Sequence, residues 1–241
     1  GSFPNAYSIP SLTKVDTAGN VIWTATDPEL FSSFKQGIDI SVVSGKTNQC
    51  LLSGQRIFTA STTNELWCVD DSSGNLLWKT KIPSDYVIKL VDLSAAEFIL
   101  LTGHYGMEYH VINKETGKIT YSRRLIPAAN NNVYRADLMV DVHQNIIISW
   151  GDTCYKYRDR ELNQLLWKSS LPYYGNKSIE RIILDSNQYI LAGMNNVSAV
   201  DTLTGNVIWY KKVLVGNIPL VQSGDDGVPR KLIIRDSLIY I

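Results

Sequence analysis

Apolar residues in this chain fall in short runs of four to eight residues, separated by Gly, Asn, Asp and Ser. Between 48 and 80 the runs are 48–53, 56–61, 65–70 and 75–80, and they are rich in Leu and Trp. Runs of this length and composition between turn-forming residues predict strands joined by hairpins. Helical periodicity is absent over most of the chain. The same four-run grammar recurs at 86–93, 97–103, 108–113 and 118–123, then at 134–143, 145–150, 154–158 and 164–169. It recurs again at 179–185, 188–193, 197–201 and 206–212. Three runs remain at the C-terminal end, 218–222, 231–235 and 238–241, and two at the N-terminal end, 11–16 and 20–26.

The junction between the third and fourth runs carries a signature, V-D-x-x-[ST]-G-N-[LV]-[LI]-W in its best copies. Five copies end at Trp23, Trp78, Tyr121, Trp167 and Trp209, at spacings of 55, 43, 46 and 42 residues. A period of roughly 40–50 residues marks a propeller or solenoid. The signature has a mechanism. Asp70, Asn113 and Asp201 can accept backbone N–H bonds, and Gly74, Gly117 and Gly205 can take positive φ. In the fourth copy Asp159 remains, and Asn163 stands where the left-handed glycine is expected. The first copy, from Asp16 to Gly19, is one residue shorter. The terminal Trp is expected on the outermost strand as a wedge between units, its indole N–H satisfied by a neighbouring carbonyl.

These patterns predict an all-β fold, a β-propeller of four-stranded blades. Five blades closed by the N- and C-terminal strands account for the runs. However, 11–16 and 238–241 both resemble a third strand, so a segment of a six- to eight-bladed propeller is the alternative. Residues 1–10 read as an N-terminal extension opening on the cloning remnant Gly1-Ser2, and 11–241 as a single propeller domain. The long first interval places an insertion at about 26–47, with a short helix expected over 27–35 from Asp27-Pro28-Glu29. Insertions in repeat proteins map to one face, often a binding face.

Charge removes some function classes. Lys plus Arg equals Asp plus Glu at 23 each, and no basic run exceeds two residues, so no nucleic-acid partner is expected. No apolar run approaches the ~18–20 residues that span a bilayer, so no membrane insertion is expected. The 44% hydrophobic content suffices for a sizeable core. Of Cys50, Cys68 and Cys154, at least one is unpaired. Cys68 and Cys154 sit in strand patterns and read as buried free thiols, with a Cys50–Cys68 disulfide left open.

Signatures of catalysis are missing. His104, His110 and His143 form no ligand spacing; His110 reads as a structural histidine and His104 as an exposed turn residue. There is no G-x-S-x-G elbow and no phosphate loop. Asp225-Asp226-Gly227 reads as a turn rather than a calcium loop. No metal site and no catalytic residue is assigned.

The segment Val200-Asp201-Thr202-Leu203-Thr204-Gly205-Asn206-Val207-Ile208-Trp209 resembles the PQQ-like, or quinoprotein-type, β-propeller repeat, and the resemblance extends from Leu12 over nearly the whole chain. That family includes quinone-dependent dehydrogenases, a periplasmic lipoprotein of outer-membrane assembly, stress-sensor luminal domains and many secreted proteins. The resemblance implies the fold and points to a periplasmic or extracellular location, although an unpaired cysteine leans the other way. The dehydrogenases typically place a vicinal Cys-Cys pair at the cofactor. No two cysteines are adjacent here, so no PQQ and no other cofactor is expected.

In a propeller, the blade-to-blade loops and the loops from second to third strands share one face. Here they hold Tyr86, His104, Tyr105, Asn131, Tyr134, Trp150, Asp152, Tyr173 and Tyr174. Such residues combine rigid contact area with polar tips and suit recognition. The expected function is therefore a non-catalytic binding or scaffold propeller presenting this loop face to a protein or a surface glycan. The alternatives are a hydrolase or lyase working at the central channel, and a purely structural domain of a larger assembly.

Overall fold

The computed structural model describes residues 11–26, 49–53, 56–60, 65–83, 86–103, 106–126, 136–171, 179–193, 196–212, 233–235 and 238–240. The helix expected over 27–35 and the strand expected over 218–222 lie outside them.

Among the described residues there are four complete antiparallel sheets of four strands. After an N-terminal strand pair, β1 (Ser11–Val15) and β2 (Val21–Thr26), blade 1 is β3 (Gln49–Ser53), β4 (Arg56–Ala60), β5 (Glu65–Asp70) and β6 (Leu76–Lys81). Blade 2 is β7 (Tyr86–Asp92), β8 (Glu97–Gly103), β9 (Met107–Asn113) and β10 (Ile119–Ile126). Blade 3 is β11 (Ala136–Val140), β12 (Ile146–Trp150), β13 (Thr153–Tyr157) and β14 (Leu165–Ser170). Blade 4 is β15 (Ile179–Asp185), β16 (Gln188–Gly193), β17 (Asn196–Asp201) and β18 (Val207–Lys212). Each strand pairs with its sequence neighbour. The first strands of successive blades lie beside one another, β3 by β7, β7 by β11 and β11 by β15. Blades therefore follow one another around a shared inner edge, as in a propeller.

Two further pairs flank them: β1 (Ser11–Val15) with β2 (Val21–Thr26), and β19 (Ile233–Arg235) with β20 (Leu238–Tyr240). Among the described residues no strand pairing joins these two pairs.

The core lies between blades. Ile99, Leu101, Met107, Tyr109 and Val111 of blade 2 pack on Ala136, Leu138, Ile146 and Ile148 of blade 3. Ile147, Cys154 and Trp167 of blade 3 pack on Ile182, Tyr189, Leu191 and Val200 of blade 4. Blade interiors are apolar on both faces, as in Phe98–Leu101, because each sheet is covered twice. Cys154 is a buried free thiol and Cys68 is buried, while the side chain of Cys50, on which the open Cys50–Cys68 pairing depends, lies outside the described residues. Cys68 is wholly enclosed with Leu66, Phe98 and Ile112, where it packs as a small hydrophobe.

The repeat signature forms a latch between blades. Asp70 Oδ1 accepts the N–H groups of Ser72 and Ser73 and both their hydroxyls, which holds its carboxyl down at about 2. Asp201 and Asn113 organise their turns in the same way. The preceding blade's Trp then lies on the turn. Trp23 donates its indole N–H to Asp71 O at 2.9 Å, Trp78 to Lys114 O at 3.0 Å and Trp167 to Thr202 O at 3.1 Å. Lysines opposite two of these Trp residues reinforce the latch, Lys14 donating to Asp71 O and Lys156 to Thr202 O.

The seam from blade 2 to blade 3 departs from this design and corrects the sequence reading. The left-handed residue of the fourth turn is Leu162, φ 57°, and not Asn163. The turn is one residue longer: Arg158 N–H bonds to Gln164 O, whereas Asp201 N–H bonds to Asn206 O. That insertion brings Leu162 to the seam, where its side chain is buried beside Tyr121. Tyr121 stands where the other blades have Trp, and its hydroxyl donates to Glu161 O at 2.8 Å.

Candidate functional site

Of the loop-face residues expected from sequence, His104, Tyr105, Asn131, Tyr134, Tyr173 and Tyr174 lie outside the described residues. Tyr86 opens β7 in register with Gly103. Trp150 closes β12 in register with Ala136. Asp152 follows in the β12–β13 turn, where Oδ1 accepts the Thr153 hydroxyl at 2.9 Å and its carbonyl accepts the Leu171 N–H at 2.8 Å. Gly151 makes the turn at φ 59° with open space around its Cα.

Trp150 stands at the end of an aromatic strip. Its ring stacks on Tyr155 with centroids 4.0 Å apart and planes 11° from parallel. Tyr155 is near-parallel to Tyr157 at 6.4 Å. Lys168, opposite Tyr155 on β14, places Nζ 5.6 Å from that ring's centroid. Strand alternation builds the strip: in β13, Tyr155 and Tyr157 share one face, while Cys154 and Lys156 point to the blade 4 side. The three rings are half-buried and Lys168 is exposed.

Across the seam, Arg123 of β10 donates to the carbonyls of Glu161 and Leu162. Burial pushes the Tyr157 phenol up, and the Arg123 charge opposes this. Sequence reasoning reached Trp150 and Asp152 through their turn but missed Tyr155, Tyr157 and Lys168. The alternation in Thr153-Cys154-Tyr155-Lys156-Tyr157 was the signal that could have found them.

The inner edge carries a different arrangement. Asp137 of β11 is buried, with Oδ1 2.5 Å from Lys89 Nζ on β7 and Oδ2 accepting the Ile182 N–H of β15 at 2.8 Å. One carboxylate thus ties three consecutive inner strands. With both oxygens engaged it is poorly placed for proton transfer. His110 is buried, with Nδ1 2.8 Å from Ser122 Oγ and Nε2 3.6 Å from Glu108 Oε2. Burial pushes its pKa down and the Glu108 charge opposes this, as expected for a structural histidine. Among the described residues no group of three or more His, Cys, Asp or Glu could hold a metal ion.

Comparison with known proteins places this geometry. The family model described as outer membrane protein assembly factor BamB, built on the PQQ-like repeat, matches residues 10–224. The chain belongs to this family. No curated protein matches the sequence. Among solved structures, BamB from Moraxella catarrhalis superposes with a TM-score of 0.58 at 16% identity, over 85% of this chain and 59% of that one. This chain therefore spans about three-fifths of that relative's length. A computationally designed protein, Ika8, superposes with a TM-score of 0.53 at 12% identity, over 68% of this chain and 48% of its own. At these identities the likeness is one of fold, and it makes this family member a β-propeller.

Proposed function

We propose that this chain is a non-catalytic, protein-binding propeller that serves assembly of outer membrane proteins from the periplasmic side. Family membership supports the process, since the matching model is described as an outer membrane protein assembly factor. The observation that carries the binding role is the half-buried strip Trp150–Tyr155–Tyr157 at the seam between blades 2 and 3. Interface cores are enriched in Trp and Tyr, which supply rigid contact area at low entropic cost. Catalysis has less support. Asp137 has both oxygens occupied by structural bonds, and His110 is enclosed within its blade.

Isothermal titration of the intact chain against each purified component of an outer-membrane assembly machinery tests the reading. Saturable one-to-one binding to one component, weakened at least tenfold by Trp150→Ala with Tyr155→Ala, is the expected outcome. Binding to none of the components would overturn it.

A further inference from the structure

The aromatic strip has a direction, and that direction selects a ligand. Its two gaps of 4.0 and 6.4 Å give a length of about 10 Å, or about three residues of extended chain at roughly 3.3 Å per residue. Charge is divided along it. At one end Asp152 follows Trp150 by two residues, and among the described residues its carboxylate meets only the Thr153 hydroxyl. Beside Tyr155, the Lys168 ammonium lies over the ring, and among the described residues no carboxylate pairs with it. At the Tyr157 end Arg123 adds a second positive charge, and among the described residues its hydrogen bonds go to the neutral carbonyls of Glu161 and Leu162. The Glu161 carboxylate, on the residue whose carbonyl Arg123 bonds, lies 3.7 Å from Arg160. Among the described residues no acceptor is found for the Trp150 indole N–H, so the strip offers a donor at its Trp150 end, away from Tyr157.

We propose that this seam binds a short extended peptide segment that carries an acidic side chain, with the acid against Lys168 and Arg123. This rests on the protein-binding reading and names the partner's chemistry at the same site. An apolar or aromatic residue beside the acid lies along the Tyr155 and Tyr157 rings. A backbone carbonyl of the segment accepts the Trp150 N–H, and a backbone N–H of the segment faces Asp152. A cation already held over an aromatic face contributes more to an incoming carboxylate than a freely rotating lysine does, because its side chain is partly ordered.

The test is titration of the full chain, followed by tryptophan fluorescence, with capped hexapeptides that alternate Asp and Phe. The same peptides with Lys in place of Asp, and a neutral hexasaccharide, serve as comparators. The expected result is saturable quenching by the acidic peptide only. Lys168→Glu should weaken it at least tenfold and raise affinity for the basic peptide, and Lys168→Met should fall between. Trp150→Phe, which keeps the stack but removes the N–H, should weaken the acidic peptide severalfold. Equal binding of acidic and basic peptides, binding of the hexasaccharide alone, or indifference to Lys168→Glu in a folded variant would overturn the proposal. If an assembly component still binds the chain but neither peptide competes and Lys168→Glu has no effect, the acidic-segment inference fails while the protein-binding reading stands.

Discussion

The Trp167 ring lies so close over Gly205 that a Cβ placed on residue 205 would fall 2.7 Å from Trp167 Cδ2. The same holds for Trp23 over Gly74 at 2.7 Å and Trp78 over Gly117 at 2.5 Å. Residue 205 also has φ +74°, so two independent requirements converge on glycine. Gly205→Ala is expected to destabilise by roughly 2–4 kcal/mol, combining the left-handed penalty with overpacking against a ring held by its own hydrogen bond. Gly19 has φ +89° but nothing within 4 Å, so Gly19→Ala should cost only about 1 kcal/mol. Urea unfolding of the two variants side by side measures the difference, and equal costs would mean that the Trp contact contributes nothing.

This latch was the most legible part of the sequence. The Asp turn, the left-handed Gly and the Trp donor each have a local chemical signature, and five copies made the period visible. The complete blades followed from it. The register of the fourth turn was not legible, because one inserted residue moved the left-handed position from Asn163 to Leu162, and burial beside Tyr121 outweighed the preference of Asn for that conformation. The aromatic strip was half legible. Trp150 announced itself by its turn, but Tyr155, Tyr157 and Lys168 lie inside strands, where a tyrosine reads as core until the neighbouring blade is known.

At that variant seam the Leu162 side chain substitutes for the missing Trp. Leu162→Gly should relieve about 1 kcal/mol of backbone strain but remove a buried side chain worth roughly 2–4 kcal/mol, for a net loss of about 2 kcal/mol. Tyr121→Phe removes only the bond to Glu161 O and should cost about 1 kcal/mol. Both belong to one apolar cluster, and the Tyr121 hydroxyl bonds the residue next to Leu162, so a double-mutant cycle should give a coupling of about 0.5 kcal/mol or more. Strict additivity would show that the seam is held elsewhere.

Asp141 links blades 3 and 4 and predicts part of the acid response. Burial pushes its carboxyl up, but the Asn145 side chain and N–H, Lys156 at 3.1 Å and the Tyr189 hydroxyl at 2.9 Å outweigh this and hold it at about 2 against an ordinary 3.8. The folded value is the lower one. The contribution is therefore complete above about pH 4 and is lost as pH falls through about 2, with a size of about 2 kcal/mol. Asp141→Asn should remove that part of the pH dependence. It should also lower stability at neutral pH by roughly 3–5 kcal/mol, since the buried Lys156 loses its counter-ion. Denaturant midpoints of both proteins from pH 2 to 7 give the comparison; parallel curves would exclude Asp141 as a source of acid sensitivity.

Asp137 ties the inner edge, and its two oxygens can be tested separately. Asp137→Asn keeps an oxygen that can accept the Ile182 N–H and frees Lys89, which is 30% exposed and can turn to water. The expected cost is about 1–2 kcal/mol. Asp137→Ala leaves the Ile182 N–H buried without an acceptor and opens a cavity, so it should cost roughly 2–4 kcal/mol. Amide hydrogen exchange sharpens the distinction. Ile182 should stay protected in the Asn variant and exchange faster in the Ala variant, whereas amides inside β12 and β13 should change only with global stability. If Ile182 is equally protected in both, the inner strands are held by packing alone, and the carboxylate that spans three of them is dispensable to the inner edge.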